Sequence, residues 1–176
     1  MEKLSVVVPC YNEEETIRLF LAESQLVESK MKQEVIFEYI FVNDGSTDAT
    51  LEVLRQVSKE FDNVHYLSFS RNFGKEAALL AGLEAADGDF VTVMDVDLQD
   101  PPEMLVDMYQ KIKEGFDVVG TRRSDRKGEP ALRSIFAKLF YKIIGSVSDT
   151  ELLDGTRDFR LMTKQVVENI LRLNEV

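Results

Sequence analysis

Three oxygen-bearing side chains, Asp95, Asp97 and Gln99, alternate directly after the apolar run Phe90 to Met94. If that segment stays extended, alternate side chains point to one side and present their oxygens to one place. Hard oxygen donors suit Mg or Mn, an ion commonly shared with substrate phosphates, and a set without His or Cys disfavours zinc. Taken alone, the triplet could equally be a solvated acidic strand end. Asp44 sits in Asn43-Asp44-Gly45-Ser46, residue types that form turns and helix caps. Because Ser46 or Thr47 can act as the cap, Asp44 is left to accept hydrogen bonds from a base or a ribose. Lys75 follows Gly74 at a helix start, where a cation and backbone amides could grip a phosphate or the lysine could simply be solvated; Arg71 is in the same position. Asp154, Arg157, Asp158 and Arg160 put two acids and two cations within seven residues. They read either as a surface ion-pair cluster or as a base, or acceptor-orienting carboxylate, beside a phosphate-binding arginine.

The elements that must position these groups follow from the apolar pattern. Leu4 to Pro9 and Val35 to Val42 are continuous runs of strand formers and predict buried strands; Val64 to Phe69, Phe90 to Met94 and Asp117 to Gly120 predict three more. Between them, helical spacing covers Glu13 to Lys30, Asp48 to Phe61, Lys75 to Ala86 and Pro101 to Gly115. Asn12 with Glu15 has capping-box spacing, and Asp100-Pro101-Pro102-Glu103 offers an acidic cap followed by proline. Strand and helix alternating in this way predict a three-layer α/β/α fold with a mostly parallel sheet. Ligands of such sheets bind beyond the carboxyl ends of the strands. Here five successive strand ends are polar: Pro9-Cys10-Tyr11-Asn12-Glu13, Asn43 to Ser46, Ser70 to Lys75, Asp95 to Gln99 and Thr121-Arg122-Arg123. Beyond them, a charged loop from Arg122 to Pro130 leads into an apolar stripe, Leu132 to Ile144, which suits a helix packed on the sheet or one lying in a membrane interface. Phe159 to Met162 predicts a short extended segment and Lys164 to Leu173 a last helix.

Composition removes several classes of function. One cysteine, Cys10, and one histidine, His65, exclude a disulfide scaffold, a zinc finger or a His-ligated metal centre. The net charge of −11 opposes a generally basic nucleic-acid face. Between Arg122 and Lys142, however, seven cations meet two anions, so an anionic partner, whether a phosphate or an anionic leaflet, would be met there. No apolar run reaches the roughly 18 residues of a membrane span, and the N-terminus lacks the plan of a cleaved signal. There is no GxGxxG, and residues 70–78 lack the first glycine and the Ser or Thr of a P-loop.

Six strings together resemble the family 2 glycosyltransferases, and within them the membrane-associated polyprenyl-phosphate sugar transferases of the bactoprenol glucosyltransferase and dolichol-phosphate mannose synthase types. They are VVVPCYNEEE (6–15), FVNDGSTDAT (41–50), SRNFGKEAA (70–78), MDVDLQDPPE (94–103), VGTRRSDR (119–126) and LDGTRDFRLM (153–162). The resemblance implies a GT-A fold and inverting transfer of a hexose from a nucleotide-sugar, a UDP-sugar by the family's habit, to a polyprenyl phosphate. It implies that Pro9, Tyr11, Glu13 and Asp44 line the nucleotide pocket with Lys75, that Asp95 lies by ribose and pyrophosphate, and that Asp95, Asp97 and Gln99 hold Mg or Mn. Asp158 would be the catalytic carboxylate, Asp97 would act through the metal, and Arg122, Arg126 and Arg160 would face the acceptor phosphate. A lipid phosphate is already anionic at neutral pH and needs no strong base, so Asp158 can instead orient an arginine.

By the same likeness residues 1–176 form one catalytic domain, with a nucleotide part to about 121 and an acceptor part from about 122, cut before C-terminal membrane spans. The full-length protein is then expected at the cytoplasmic face of the membrane, against an anionic surface, with this chain alone soluble. A homo-oligomer is compatible with the sequence, and nucleic acid is not an expected partner. Two other functions stay open at this point. One is sugar transfer to a saccharide hydroxyl in capsule or wall polysaccharide synthesis, which needs a true base. The other is a non-catalytic nucleotide-sugar-binding module.

Overall fold

The computed structural model describes residues 1–122 and 156–172. These form β1 (Glu2–Cys10), α1 (Ile17–Met31), β2 (Val35–Asn43), α2 (Thr50–Glu60), β3 (Val64–Ser68), α3 (Lys75–Ala85), β4 (Phe90–Val93), α4 (Met104–Lys113), β5 (Val118–Arg122), β6 (Thr156–Thr163) and α5 (Lys164–Arg172). The chain divides into two units, Met1–Val119 with Asp158–Val176, and Gly120–Arg157. The cationic loop after Arg122 and the apolar stripe Leu132 to Ile144 lie outside the described residues.

The strands form one sheet in the order β3-β2-β1-β4-β6-β5. β1 pairs parallel with β2, from Glu2 against Val35 to Cys10 against Asn43, and parallel with β4, from Leu4 against Phe90 to Val7 against Val93. β2 and β3 are also parallel, whereas β6 runs antiparallel to β4. The chain therefore winds outward from β1 to β3 and then returns to the other flank of β1. That reversal opens a crevice between the carboxyl ends of β1 and β4.

Both faces of the sheet are covered, which is why β1 and β2 are apolar almost throughout rather than alternating, the buried exceptions in their interior, Ser5 and Glu38, meeting where the Ser5 hydroxyl donates to Glu38 Oε2 at 2.7 Å. The side chains still alternate between two cores. Leu4, Val6, Val8, Phe37, Tyr39 and Phe41 join Ile17 and Phe20 of α1, Leu54 of α2 and Leu105 of α4. On the opposite face Val7, Val91 and Val93 pack with Leu83 of α3 and Val167 of α5, while Ile40 and Val42 meet Ala78. α3 is rich in alanine and comes very close to the sheet: a Cβ on Gly82 would stand 2.2 Å from Val7 Cγ1 and 3.2 Å from Val42 Cγ2.

α1, α2 and α4 begin later than the sequence signals predict, whereas α3 and α5 begin at Lys75 and Lys164 as expected. α1 starts at Ile17, after a turn in which Thr16 and Ile17 donate to the Glu13 carbonyl. Asn12 does not cap it; its φ of +57° turns the chain, a conformation asparagine tolerates better than most residues. α4 starts at Met104 rather than at Pro101, since residues 101–103 form a turn in which the carbonyls of Pro101 and Pro102 accept from Met104 and Leu105.

The tight seat of α3 has a measurable consequence. Gly82→Val forces a branched side chain into Val7 and should lower unfolding free energy by about 2–3 kcal/mol, read as a fall in urea midpoint at unchanged m-value.

Candidate active site

The crevice holds a cavity of about 290 Å³. β1 contributes Pro9 and Cys10, followed by Tyr11 and Glu13; β2 is followed by Asp44; Asn72 and Gly74 precede α3, which adds Lys75 and Ala78; β4 is followed by Asp95, Val96 and Asp97. Loops separated by up to 88 residues in the chain thus face one space, because parallel strands direct every carboxyl end to the same edge.

The loops after β1 and β2 are tied to each other. The Asn12 amide donates to Ser46 Oγ at 2.9 Å, and Asn12 Oδ1 accepts from the Thr47 amide at 2.8 Å. Glu13 donates its amide to Thr50 Oγ1 at 2.7 Å, and Glu14 Oε2 accepts from the Ala49 amide at 2.6 Å. At the start of α2, Asp48 Oδ1 accepts from Thr50 N at 3.0 Å, so Asp48 and Glu14 satisfy amides there rather than Ser46 or Thr47. These cross-loop bonds hold Tyr11 and Glu13 at the cavity wall.

Asp44 is buried, at 4% exposure, and both carboxylate oxygens are engaged. Oδ1 accepts from Phe73 N at 2.7 Å and Oδ2 from Gly74 N at 3.0 Å. The carboxylate expected to be left for a ligand is thus first a clamp on the loop before α3. Two of its roughly four lone-pair positions are used in this way. Gly45 completes the clamp: its φ is +64°, and a Cβ there would fall 2.1 Å from the Arg71 carbonyl carbon. Arg71 does not line the cavity; its guanidinium lies 4.5 Å from the Phe73 ring centroid.

The acidic segment differs from its sequence reading. β4 ends at Val93, Val96 and Asp97 form a turn, and Leu98 has a φ of +58°, so the alternation of an extended strand is broken. Buried Val96 and partly buried Leu98 pack against the main core and fix the turn, with Asp95 and Asp97 on the cavity side. Asp97 Oδ1 accepts from the Gln99 amide at 3.1 Å, and exposed Gln99 is not among the residues lining the cavity. Lys75 Nζ lies 2.7 Å from Asp95 Oδ1 and 3.1 Å from Oδ2.

Among the described lining residues four carboxylates, Glu13, Asp44, Asp95 and Asp97, face one ammonium, Lys75. An anionic ligand would enter such a space only together with a cation. Asp95 and Asp97 fit a hard divalent ion by donor chemistry, and the Lys75 ammonium already marks the place beside Asp95 as one that attracts positive charge. No group of three His, Cys, Asp or Glu able to hold an ion occurs among the described residues, so Asp95 and Asp97 would share an ion with other donors, such as substrate oxygens, an amide side chain or water. Cys10 is no nucleophile: burial, assisted by nearby Glu13, pushes its thiol well above the usual range, and Sγ donates to the Val8 carbonyl at 3.5 Å.

All six side chains implied for the nucleotide, and Asp97, meet at this cavity. Arg160 is exposed on β6, and its carbonyl accepts from Thr92 Oγ1 at 2.8 Å. Asp158 lies within β6 and Arg122 ends β5; the structure describes their backbone only. Arg126 lies outside the described residues. Cys10, Asn72, Gly74, Ala78 and Val96 also line the cavity and were not among the expected site residues, although all five lie inside the family-like strings.

A family description, glycosyl transferase family 2, matches residues 5–171. The chain belongs to that family. This family 2 chain is 43% identical over 173 residues to a prophage bactoprenol glucosyl transferase homolog of Escherichia coli K12, covering 98% of the chain and 56% of that relative. It spans about half the length of the curated relatives it matches. Among solved structures, residues 1–349 of Staphylococcus aureus TarS in complex with UDP superpose with a TM-score of 0.65 at 24% identity, covering 96% of this chain and 48% of that one. The mannosyltransferase PcManGT of Pyrobaculum calidifontis, in complex with GDP-Man and Mn2+, gives 0.66 at 19% identity over 96% of this chain and 46% of that one. At these identities the likeness shows the fold, which is of the GT-A type.

The Asp44 clamp is testable by hydrogen exchange. Asp44→Ala removes two charge-assisted bonds, together about 3 kcal/mol, and should speed exchange at the Phe73 and Gly74 amides by at least tenfold, while β1 and β2 amides change less.

Proposed function

We propose that this domain transfers a hexose from a UDP-sugar, with a divalent cation and inversion at the anomeric carbon, to a polyprenyl phosphate. The observation that carries the reading is the acidic crevice at the carboxyl ends of β1 and β4, with Asp95 and Asp97 opposite Lys75. Relatives named as bactoprenol glucosyl transferases support the lipid acceptor, and fold neighbours solved with UDP, or with GDP-Man and Mn2+, support the donor and the cation. In this reading Pro9, Tyr11, Glu13 and Asp44 receive the nucleoside, and Asp95 receives ribose and diphosphate. Asp95 and Asp97, with Gln99 once its loop adjusts, hold Mg or Mn. Bound there, the ion would offset the charge that develops on the departing diphosphate.

An oxygen of the acceptor phosphate attacks the anomeric carbon as the bond to the nucleoside diphosphate breaks, so the sugar leaves with inverted configuration. The acceptor is already ionised and surrenders no proton. Asp158 then serves to orient an arginine, and Arg122, Arg126 and Arg160 neutralise the incoming phosphate so that two anions can approach. No helix among the described residues is long and apolar enough to cross a membrane. Attachment to the cytoplasmic face would come from the cationic segment after Arg122 and from spans of a longer gene product.

The test is a panel of UDP-sugars with full-length protein, polyprenyl phosphate and Mn or Mg. Transfer to the lipid phosphate, abolished by chelation and lowered at least 100-fold by Asp97→Asn, is expected; transfer only to a saccharide hydroxyl, or UDP binding without turnover, would overturn it.

A further inference from the structure

We propose that Lys75 is an exchangeable counter-ion that makes cation and nucleoside-diphosphate binding depend on each other: its ammonium pairs with Asp95 until a donor binds and then passes to the diphosphate. The inference rests on the reading of the crevice as a nucleotide-sugar site. Three features of the structure lead to it.

The first is the unequal footing of the two partners. Asp95 follows β4, which is paired on both sides, and the buried Val96 anchors its loop. Lys75 has its backbone pinned one residue away, where Asp44 holds the Gly74 amide, but its charge rides on a flexible four-carbon stem. When the pair opens, the ammonium moves and the carboxylate stays. The second is exposure: the two side chains are 40% and 41% accessible, so the contact is solvent-screened and readily exchanged for a stronger one. The third is the shortage of protein ligands. Asp95 and Asp97 alone cannot complete the shell of a Mg or Mn ion, which commonly takes one or two carboxylates plus substrate phosphates. An ammonium 2.7 Å from Asp95 further opposes a lone cation, by charge repulsion and by occupying the carboxylate.

A diphosphate reverses each of these effects. It supplies oxygens to the ion and draws the Lys75 ammonium away from Asp95, which frees that carboxylate for the metal. By linkage, whatever factor the diphosphate adds to cation affinity the cation adds to diphosphate affinity. Lys75 therefore suppresses occupation by the metal alone and rewards the pair. No bond is made or broken in this exchange; only ion pairs are traded.

The test measures Mn2+ binding from the free-ion electron paramagnetic resonance signal and UDP binding by calorimetry, each with and without the other ligand. For Lys75→Met, Mn2+ affinity without nucleotide should rise about tenfold, UDP affinity with saturating Mn2+ should fall about tenfold, and the mutual enhancement should shrink accordingly. Lys75→Arg keeps the charge and should leave Mn2+ affinity without nucleotide within about threefold of the unaltered protein; thermal melting of each variant reports folding. If Lys75→Met weakens UDP binding with no gain for Mn2+, Lys75 is a phosphate ligand only and the counter-ion exchange is wrong. If the unaltered protein binds neither UDP nor Mn2+, the reading of the crevice falls as well.

Discussion

Negative charge concentrated at one end of a buried sheet is the constraint around which the rest of this molecule is arranged. Asp44, Asp95, Asp97 and Glu13 all reach the same cavity; buried Asp44 must be compensated or it disfavours the fold, and the other three, though more exposed, repel one another and any anionic ligand. The protein answers each differently. Asp44 spends its charge on two backbone amides, Asp95 on an ammonium, Asp97 on the amide of Gln99, and Glu13 accepts from the Thr16 hydroxyl at 2.6 Å. Of these, the Asp95 contact is the one a ligand can most easily take over, because it joins two side chains about two-fifths exposed, whereas Asp44 and Asp97 hold backbone amides and Glu13 bonds a neighbour on its own turn.

Compensation through backbone amides also gives the site its rigidity. Asp44 ties residues 73 and 74 to the end of β2, Gly45 lets that loop approach within contact distance, and Asn12 and Glu14 tie the loop after β1 to the one before α2. Functional side chains therefore sit on loops whose main chain is fixed from several directions. The core beneath serves the same end: Val96 and Leu98, interleaved with the acids, are drawn toward the apolar interior and turn the loop so that Asp95 and Asp97 border the cavity.

Membership of glycosyl transferase family 2 agrees with that layout, in which strands β1, β2 and β4 deliver their loops to one crevice. The acidic crevice is the side proposed to receive the donor. The segment expected to meet the acceptor carries seven cations between Arg122 and Lys142, opposite in sign to the cavity wall. A division of this kind suits the proposed reaction, which would bring two anionic substrates together, since each side is matched to a different charge problem.

The amino-acid sequence by itself determined the layered α/β class, the approximate strands and helices, and the polar character of the strand ends. All of these depend on apolar runs and periodicities confined to a few neighbouring residues. It also displayed every residue that lines the cavity, several of them without a role. Only the tertiary structure decided that β1 lies between β2 and β4, that Asp44 clamps amides 29 and 30 residues away, and that Lys75 meets Asp95 across 20 residues. It likewise replaced the extended Asp95-to-Gln99 ladder with a turn, and the local helix caps with bonds between loops. The reason is physical: strand order and loop-to-loop hydrogen bonds are selected by the packing of distant segments, and a local pattern of residue types carries no record of which distant amide will need a carboxylate.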